Sequence, residues 1–249
     1  MGNLVKTEWF KLRKDRSFRT LTGLLFAVSV LYPLTLLSGG DIAAIKVSEF
    51  YAHDVMGVNN EIIKYFPSIL AGFFIAGEYS IGTMKSMVSS GSSRMRLYLA
   101  KLMVFTMGAM IISAVAPVVM TGVSAIYFGF NSMPEWVFFV QTIGLIMLYA
   151  AAFASIMATI STVFADSGKT IGFLLMFFML FGSILFTLSA KVSFFRPIWN
   201  YSVFKWLFVI GNIQTMDGGQ LFELLAVPIL TYTLFGLIGS WIFQKKEIK

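Results

Sequence analysis

The sequence has no cysteine. Disulfides, thiol chemistry and cysteine-based metal sites are therefore excluded, although the redox compartment stays open. Histidine occurs once, as His53, so a two-histidine zinc helix is excluded as well, and no metal site is expected. Charge is scarce: Asp, Glu, Lys and Arg make up 12% of the 249 residues, against about 25% in soluble domains. With 57% hydrophobic residues, a water-soluble globule of this size would lack the polar surface to cover itself. What remains is a chain whose solvent is largely apolar.

The few charges cluster and leave long gaps. Thr20 to Gly40, Leu102 to Pro134, Trp136 to Ala165, Thr170 to Ala190 and Leu224 to Gln244 contain none. Each gap holds the roughly 20 helical residues that cross a hydrocarbon core about 30 Å thick. Tyr65 to Gly77 is shorter and ends at Glu78. We read it as part of a further span from Glu61 to Gly82, with Lys64 reaching toward the headgroups. Barrel strands would be about ten residues long and alternate in polarity; these runs do neither. The sequence thus predicts an all-α integral membrane protein. One transmembrane domain covers 1–249, with six spans near residues 20–40, 61–82, 102–128, 137–164, 170–190 and 222–244.

Lys and Arg assign the sides. With an inner N-terminus, the inner segments hold the cluster from Lys6 to Arg19, then Lys85, Arg94, Arg96, Lys101, Lys169, Lys245, Lys246 and Lys249. The outer segments hold only Lys46, Lys64, Lys191, Arg196 and Lys205. The positive-inside rule then predicts a multi-pass protein of the cell membrane with both termini cytoplasmic. The formal net charge of +7 reflects this topology and an affinity for anionic lipid in the bilayer; no nucleic-acid partner is implied. The N-terminus does not read as a signal peptide, because its charged stretch is long and no A-x-A-like site follows.

Between the spans, residues 2–18 read as an amphipathic helix on the inner surface. Leu4, Val5, Trp9 and Leu12 share one face, and Lys6, Lys11, Arg13 and Lys14 lie toward the other. Pro33 predicts a kink in span 1, and an outer loop with Asp41, Glu49, Asp54 and Glu61 follows. Residues 191–220 are too apolar for a plain loop and read as short, semi-buried helices in the outer leaflet. Ser167-Gly168-Lys169-Thr170 looks like the tail of a phosphate-binding loop, but Val163 stands where that motif needs Gly. We read a turn there, with Gly168 and Gly172 as small packing residues, and expect no catalytic residue. On span 5, Phe173, Phe177, Phe178 and Phe181 form a stripe. Phe173, Phe177 and Phe181 either line a path for a hydrophobic substrate or face lipid and neighbouring helices. Glu78 is the only acid near membrane depth; it is a functional candidate by default or the partner of a nearby Lys or Arg.

After span 2 the chain reads Gly77-Glu78-Tyr79-Ser80-Ile81-Gly82-Thr83-Met84-Lys85, then a Ser/Gly-rich stretch, then Arg94, Arg96 and Lys101. This resembles the permeases of type-two ABC transporters. Their chains commonly show an acidic residue, a Gly-Thr-x-Lys element, a short break, an Arg, and a Lys before span 3. The opening Glu8-x-x-Lys11, followed by Arg13, Lys14 and Arg16, also resembles the usual start of such chains. Gly91 departs from the pattern, which has Pro near that place. In layout the resemblance covers the whole chain.

The resemblance implies that a short cytoplasmic coupling helix between spans 2 and 3 receives force from a separate ATPase. Residues 79–88 have the length for it. The matching positions are Glu78, Gly82, Thr83, Lys85, Arg94 and Lys101. It implies ABC ATPase subunits as partners, carrying the ATP and magnesium that this chain does not itself bind. It also implies a second permease copy, identical or related, and export of a hydrophobic or amphipathic peptide or drug. Small chains of this kind often serve bacteriocin immunity or antimicrobial-peptide export. The alternatives are a non-transporting membrane sensor or assembly protein, or an ion channel, though no span carries a charged ring or a filter-like motif.

Overall fold

Helix forms wherever the sequence withholds charge, and in several places beyond. The computed structural model of the chain describes residues 2–37, 46–89, 91 and 93–246, with side chains except at 36, 37 and 131. In chain order the α-helices are α1 (Gly2–Lys14), α2 (Arg16–Leu37), α3 (Val47–Phe50), α4 (Met56–Ala71), α5 (Gly77–Ser80), α6 (Thr83–Ser89), α7 (Arg94–Phe128), α8 (Trp136–Phe164), α9 (Ser167–Lys191), α10 (Phe195–Asn200), α11 (Val203–Val209) and α12 (Gly218–Lys245). Among the described residues there is no strand. Among the described residues, five helices are long and apolar enough to cross a membrane: Arg16–Thr35 within α2, then α7, α8, α9 and α12. Several start or end beyond the charge-free stretches, because helical hydrogen bonding continues through flanking basic residues whose long side chains reach polar surroundings.

The span expected at 61–82 is not among the five. It falls in a helical run from Val47 to Ser80 that two π-helical turns, Tyr51–Val55 and Gly72–Ala76, divide into α3, α4 and α5. The backbone stays in the right-handed helical region at the junctions, so the run is unbroken. The outer loop expected before Glu61 is thereby corrected: Glu49, Asp54 and Glu61 are helical, while Asp41 lies outside the described residues. Val47, Phe50, Tyr51 and Val55 are buried, so this stretch turns an apolar face inward and its charges outward. The N-terminal helix stops at Lys14 rather than at 18. Asp15 leaves the helix, and its carboxylate accepts the N–H of Phe18 at 2.8 Å, satisfying an otherwise orphaned donor at the start of α2. That helix runs on through Pro33.

α8 sits at the centre. Its Ala150, Ala152, Phe153, Ala154, Ser155 and Ala158 are all buried, and a helix that is apolar all round belongs inside. Small residues there let neighbours approach closely. Pro228 lies inside α12 and has no N–H to give the carbonyl four residues earlier. That carbonyl, of Leu224, instead accepts the Tyr149 hydroxyl of α8 at 3.0 Å. One turn from the far end, Thr159 donates to the Phe235 carbonyl at 2.8 Å. A hydroxyl row therefore stitches α8 to α12.

Close packing against α9 rests on glycines of the opposite helix. A Cβ on Gly72 would collide with Ile171, and one on Gly77 would lie 3.3 Å from Ser167 Oγ. Gly172 has nothing within 4 Å, and Gly168 meets only its neighbour Asp166, so the expected packing role of these two is corrected. Ser167 to Thr170 form the first turn of α9, capped by Asp166, whose side chain accepts the Lys169 N–H.

The long helices alternate in direction. One end of the molecule gathers α1, α6, the start of α7 and the ends of α8 and α12: Arg94 reaches the Gln244 carbonyl at 3.0 Å, and Lys246 the Val163 carbonyl at 2.8 Å. The other end gathers α3, the α7–α8 connection, α10 and α11. There Ser132 accepts the Val47 N–H at 3.0 Å, and Gln214 donates to Glu135 at 3.0 Å.

Candidate functional site

Four charged residues meet at the α1 end. Glu8 and Lys11 come from α1, Glu78 from α5 and Lys101 from α7. Lys11 Nζ lies 2.7 Å from Glu8 Oε1 and 3.0 Å from Glu78 Oε1. Lys101 Nζ lies 2.7 Å from Glu8 Oε2 and 2.7 Å from Glu78 Oε2. Each carboxylate spends one oxygen on each ammonium, so the four groups close into a ring of alternating sign with no net charge. The Glu8 and Lys101 side chains are 2% and 3% exposed, and the Phe74 ring centroid lies 4.7 Å from Lys101 Nζ. Burial of single charges is costly, and mutual pairing with several hydrogen bonds is what makes it tolerable. Burial by itself would raise the Glu8 pKa, yet Lys101 and Lys11 outweigh it and hold the carboxylate below its ordinary range. Burial would lower that of Lys11, and Glu8 with Glu78 leave it raised. Both groups thus favour the charged state.

The ring binds three segments that are far apart in sequence. Helix α6 hangs beside it. Met84 of α6 is buried and lines one small cavity with Tyr79, Leu97, Tyr98 and Phe243, and Met87 Sδ lies 3.3 Å from Lys11 Nζ. Lys85, the next residue after Met84, is exposed. The Thr83 hydroxyl donates to the Glu78 carbonyl at 3.2 Å, satisfying an acceptor at the end of α5. Gly82 and Gly91 flank α6 with φ of +79° and +85°, a backbone region open to glycine at little cost. Neither has an atom of the described residues within 4 Å of its would-be Cβ, so within this chain Gly82 serves a bend.

Of the six positions matched to the coupling element, the structure brings Glu78 and Lys101 into the ring. It sets Gly82 and Thr83 at the adjoining turn and leaves Lys85 facing out. Arg94 turns elsewhere: its guanidinium donates to the Gln244 and Lys246 carbonyls at 3.0 and 2.8 Å. Lys246 in turn caps the end of α8 through the Thr162 and Val163 carbonyls. The Phe173, Phe177 and Phe181 rings stack in a ladder, with centroids 5.9 and 4.7 Å apart, that ends on Phe204 at 5.4 Å. The first and last are partly exposed.

Two residues of the ring, Glu8 and Lys11, belong to the opening that resembles the family's start but are missing from the positions matched to the coupling element. The signal was present in α1. Leu4, Glu8 and Leu12 recur at a spacing of four, which sets the acid in the middle of the apolar face. An acid there needs a buried cation.

A family model described as ABC-2 family transporter protein matches residues 4–183, a stretch that includes all four ring residues and α6. No curated protein matches the chain significantly.

Proposed function

The chain belongs to the ABC-2 transporter family, and from that premise we propose that this permease subunit serves an ATP-driven exporter. The run from Val47 to Ser80 supplies the sixth span: π turns and Pro67 interrupt α-helical hydrogen bonding there without ending the helix, a feature tolerated where neighbouring helices re-satisfy the backbone. The end bearing the ring faces the cytoplasm of a cell membrane, and both termini lie on that side. ATP and magnesium are held by ATPase subunits beneath it, and a second permease copy completes the path. The cargo is a hydrophobic or amphipathic peptide or drug, of the kind met in bacteriocin immunity.

The observation that carries this reading is the neutral ring beside α6. A short helix held on two positive-φ glycines, anchored by Met84 and displaying Lys85, is suited to dock on a partner. When a partner displaces α6, the movement reaches Glu78 through the Gly82 turn and Lys11 through Met87. Glu78 and Lys11 share the ring with Lys101 on α7, so α1 and the spans before and after α6 move together. Glu78 is then both a paired residue and a functional one. The test is copurification in nanodiscs of an ATPase with a phosphate-binding loop. Wild type should retain it and Lys85→Glu should weaken it, by about tenfold to a hundredfold for one lost charged contact. Equal retention by both at equal membrane abundance would refute docking through α6.

A further inference from the structure

A cavity of about 520 Å³ opens between α4, α9, α10 and α11, within the roughly 300–1,000 Å³ range of small-molecule sites. It lies away from the ring: Lys64 on its wall precedes Glu78 along the same helical run by roughly 21 Å at 1.5 Å per residue. The wall is aromatic, with Phe178, Phe186, Trp199, Phe204 and Phe208. Lys64 Nζ pairs with Glu61 Oε1 at 2.7 Å, and the two side chains are 9% and 48% exposed. The Tyr65 and Phe208 ring centroids lie 5.6 and 5.7 Å from Nζ.

The two partners differ in what it takes to part them. The ammonium is fixed and buried, and needs an anion. The carboxylate is half in solvent and has a second partner in the Tyr65 hydroxyl, which donates to it, so it can leave Lys64 at small cost. An incoming anion can therefore take the place of Glu61, while an apolar body fills the aromatic space beside it. We propose that this cavity binds an amphiphile with one anionic head, carboxylate, phosphate or sulfate, placed on Lys64, and one apolar body against the aromatic wall. Two sources share this chemistry: an exported single-chain amphiphile and an anionic membrane lipid. The site deepens the export reading and rests on it only for the fate of the bound molecule.

The test uses purified protein in phosphatidylcholine nanodiscs and a diazirine-bearing hexadecyl sulfate, with the matching hexadecanol as the uncharged probe. Photolabelling mapped by peptide mass spectrometry should fall on α9 and α11 beside the cavity and favour the sulfate. Lys64→Gln should cut sulfate labelling about tenfold or more. Ser183→Trp, which fills the cavity from its exposed side, should cut labelling by both probes. Glu61→Gln should raise sulfate labelling, because it frees the ammonium; a merely structural ion pair would not give a rise. Competition by phosphatidylglycerol assigns the site to lipid, and its absence to a single-chain amphiphile. Equal labelling by both probes, or sulfate labelling unchanged in Lys64→Gln, would overturn the proposal. ATPase copurification on the same samples separates the two readings, since loss of the partner with labelling intact strikes only the export reading.

Discussion

Lys101→Met tests the ring most severely. The substitution keeps much of the side-chain volume and removes one of two ammonium groups, leaving Glu8 and Glu78 to share Lys11. The lost charge sits at 3% exposure and faces a Glu8 at 2%, so it is the buried case, in which removal of one partner costs about 3–5 kcal/mol. Lys11→Met removes a group whose side chain is 33% exposed, and water compensates more of the loss, leaving about 1 kcal/mol. Adding Glu78→Gln to Lys101→Met restores neutrality and should recover about 1–3 kcal/mol, a coupling expected of directly paired groups. The assay is reversible unfolding in mixed micelles titrated with sodium dodecyl sulfate, with Trp fluorescence as the signal. Additive effects of Lys101→Met and Glu78→Gln, or a Lys101→Met loss no larger than that of Lys11→Met, would refute the closed ring.

Acidity acts on the same ring from both sides. The Glu8 pKa is lowered by folding, so its contribution is present above the ordinary carboxylate pKa and lost as pH falls through the folded value; that of Lys11 is raised, so its contribution is present below the ordinary lysine pKa and lost as pH rises beyond it. Unfolding midpoints across pH should therefore form a plateau with an acid and an alkaline shoulder, the acid one reduced in Glu8→Gln. Tyr149→Phe should cost about 1–3 kcal/mol by orphaning the Leu224 carbonyl, and much less in a Pro228→Ala background, where an N–H returns. Gly72→Ala should lose about 1–3 kcal/mol to overpacking against Ile171, whereas Gly172→Ala should be neutral or stabilising in the same assay.

Hydropathy made the helical membrane class legible, since charge-free stretches of span length have few other solutions. Glu78 stood out for the same reason, and Lys101 through the resemblance of its segment to the family pattern. Their pairing did not, because a ring built from residues 8, 11, 78 and 101 is a tertiary fact that local periodicity does not encode. Glu8 alone hinted at it from the apolar face of α1. The charges of the stretch 47–60 suggest a loop, although Val47, Phe50, Tyr51 and Val55 recur at helical spacing. Which of two facing helices contributes the glycine at a close approach is likewise undetermined by sequence, and so Gly72 and Gly77 took the place of Gly168 and Gly172. The π turns have no sequence signature in this chain.

The absence of cysteine makes a direct test of α6 simple. Ser86→Cys puts a single thiol on the exposed side of that helix, and Thr187→Cys puts one near the opposite end as a control. A bifunctional thiol–amine reagent is applied to native membranes, and the adducts are identified by mass spectrometry. Ser86→Cys should capture an ATPase with a phosphate-binding loop, and Thr187→Cys should not. Capture of that ATPase equally from both positions, or from neither at matched expression, would contradict docking of the partner on α6.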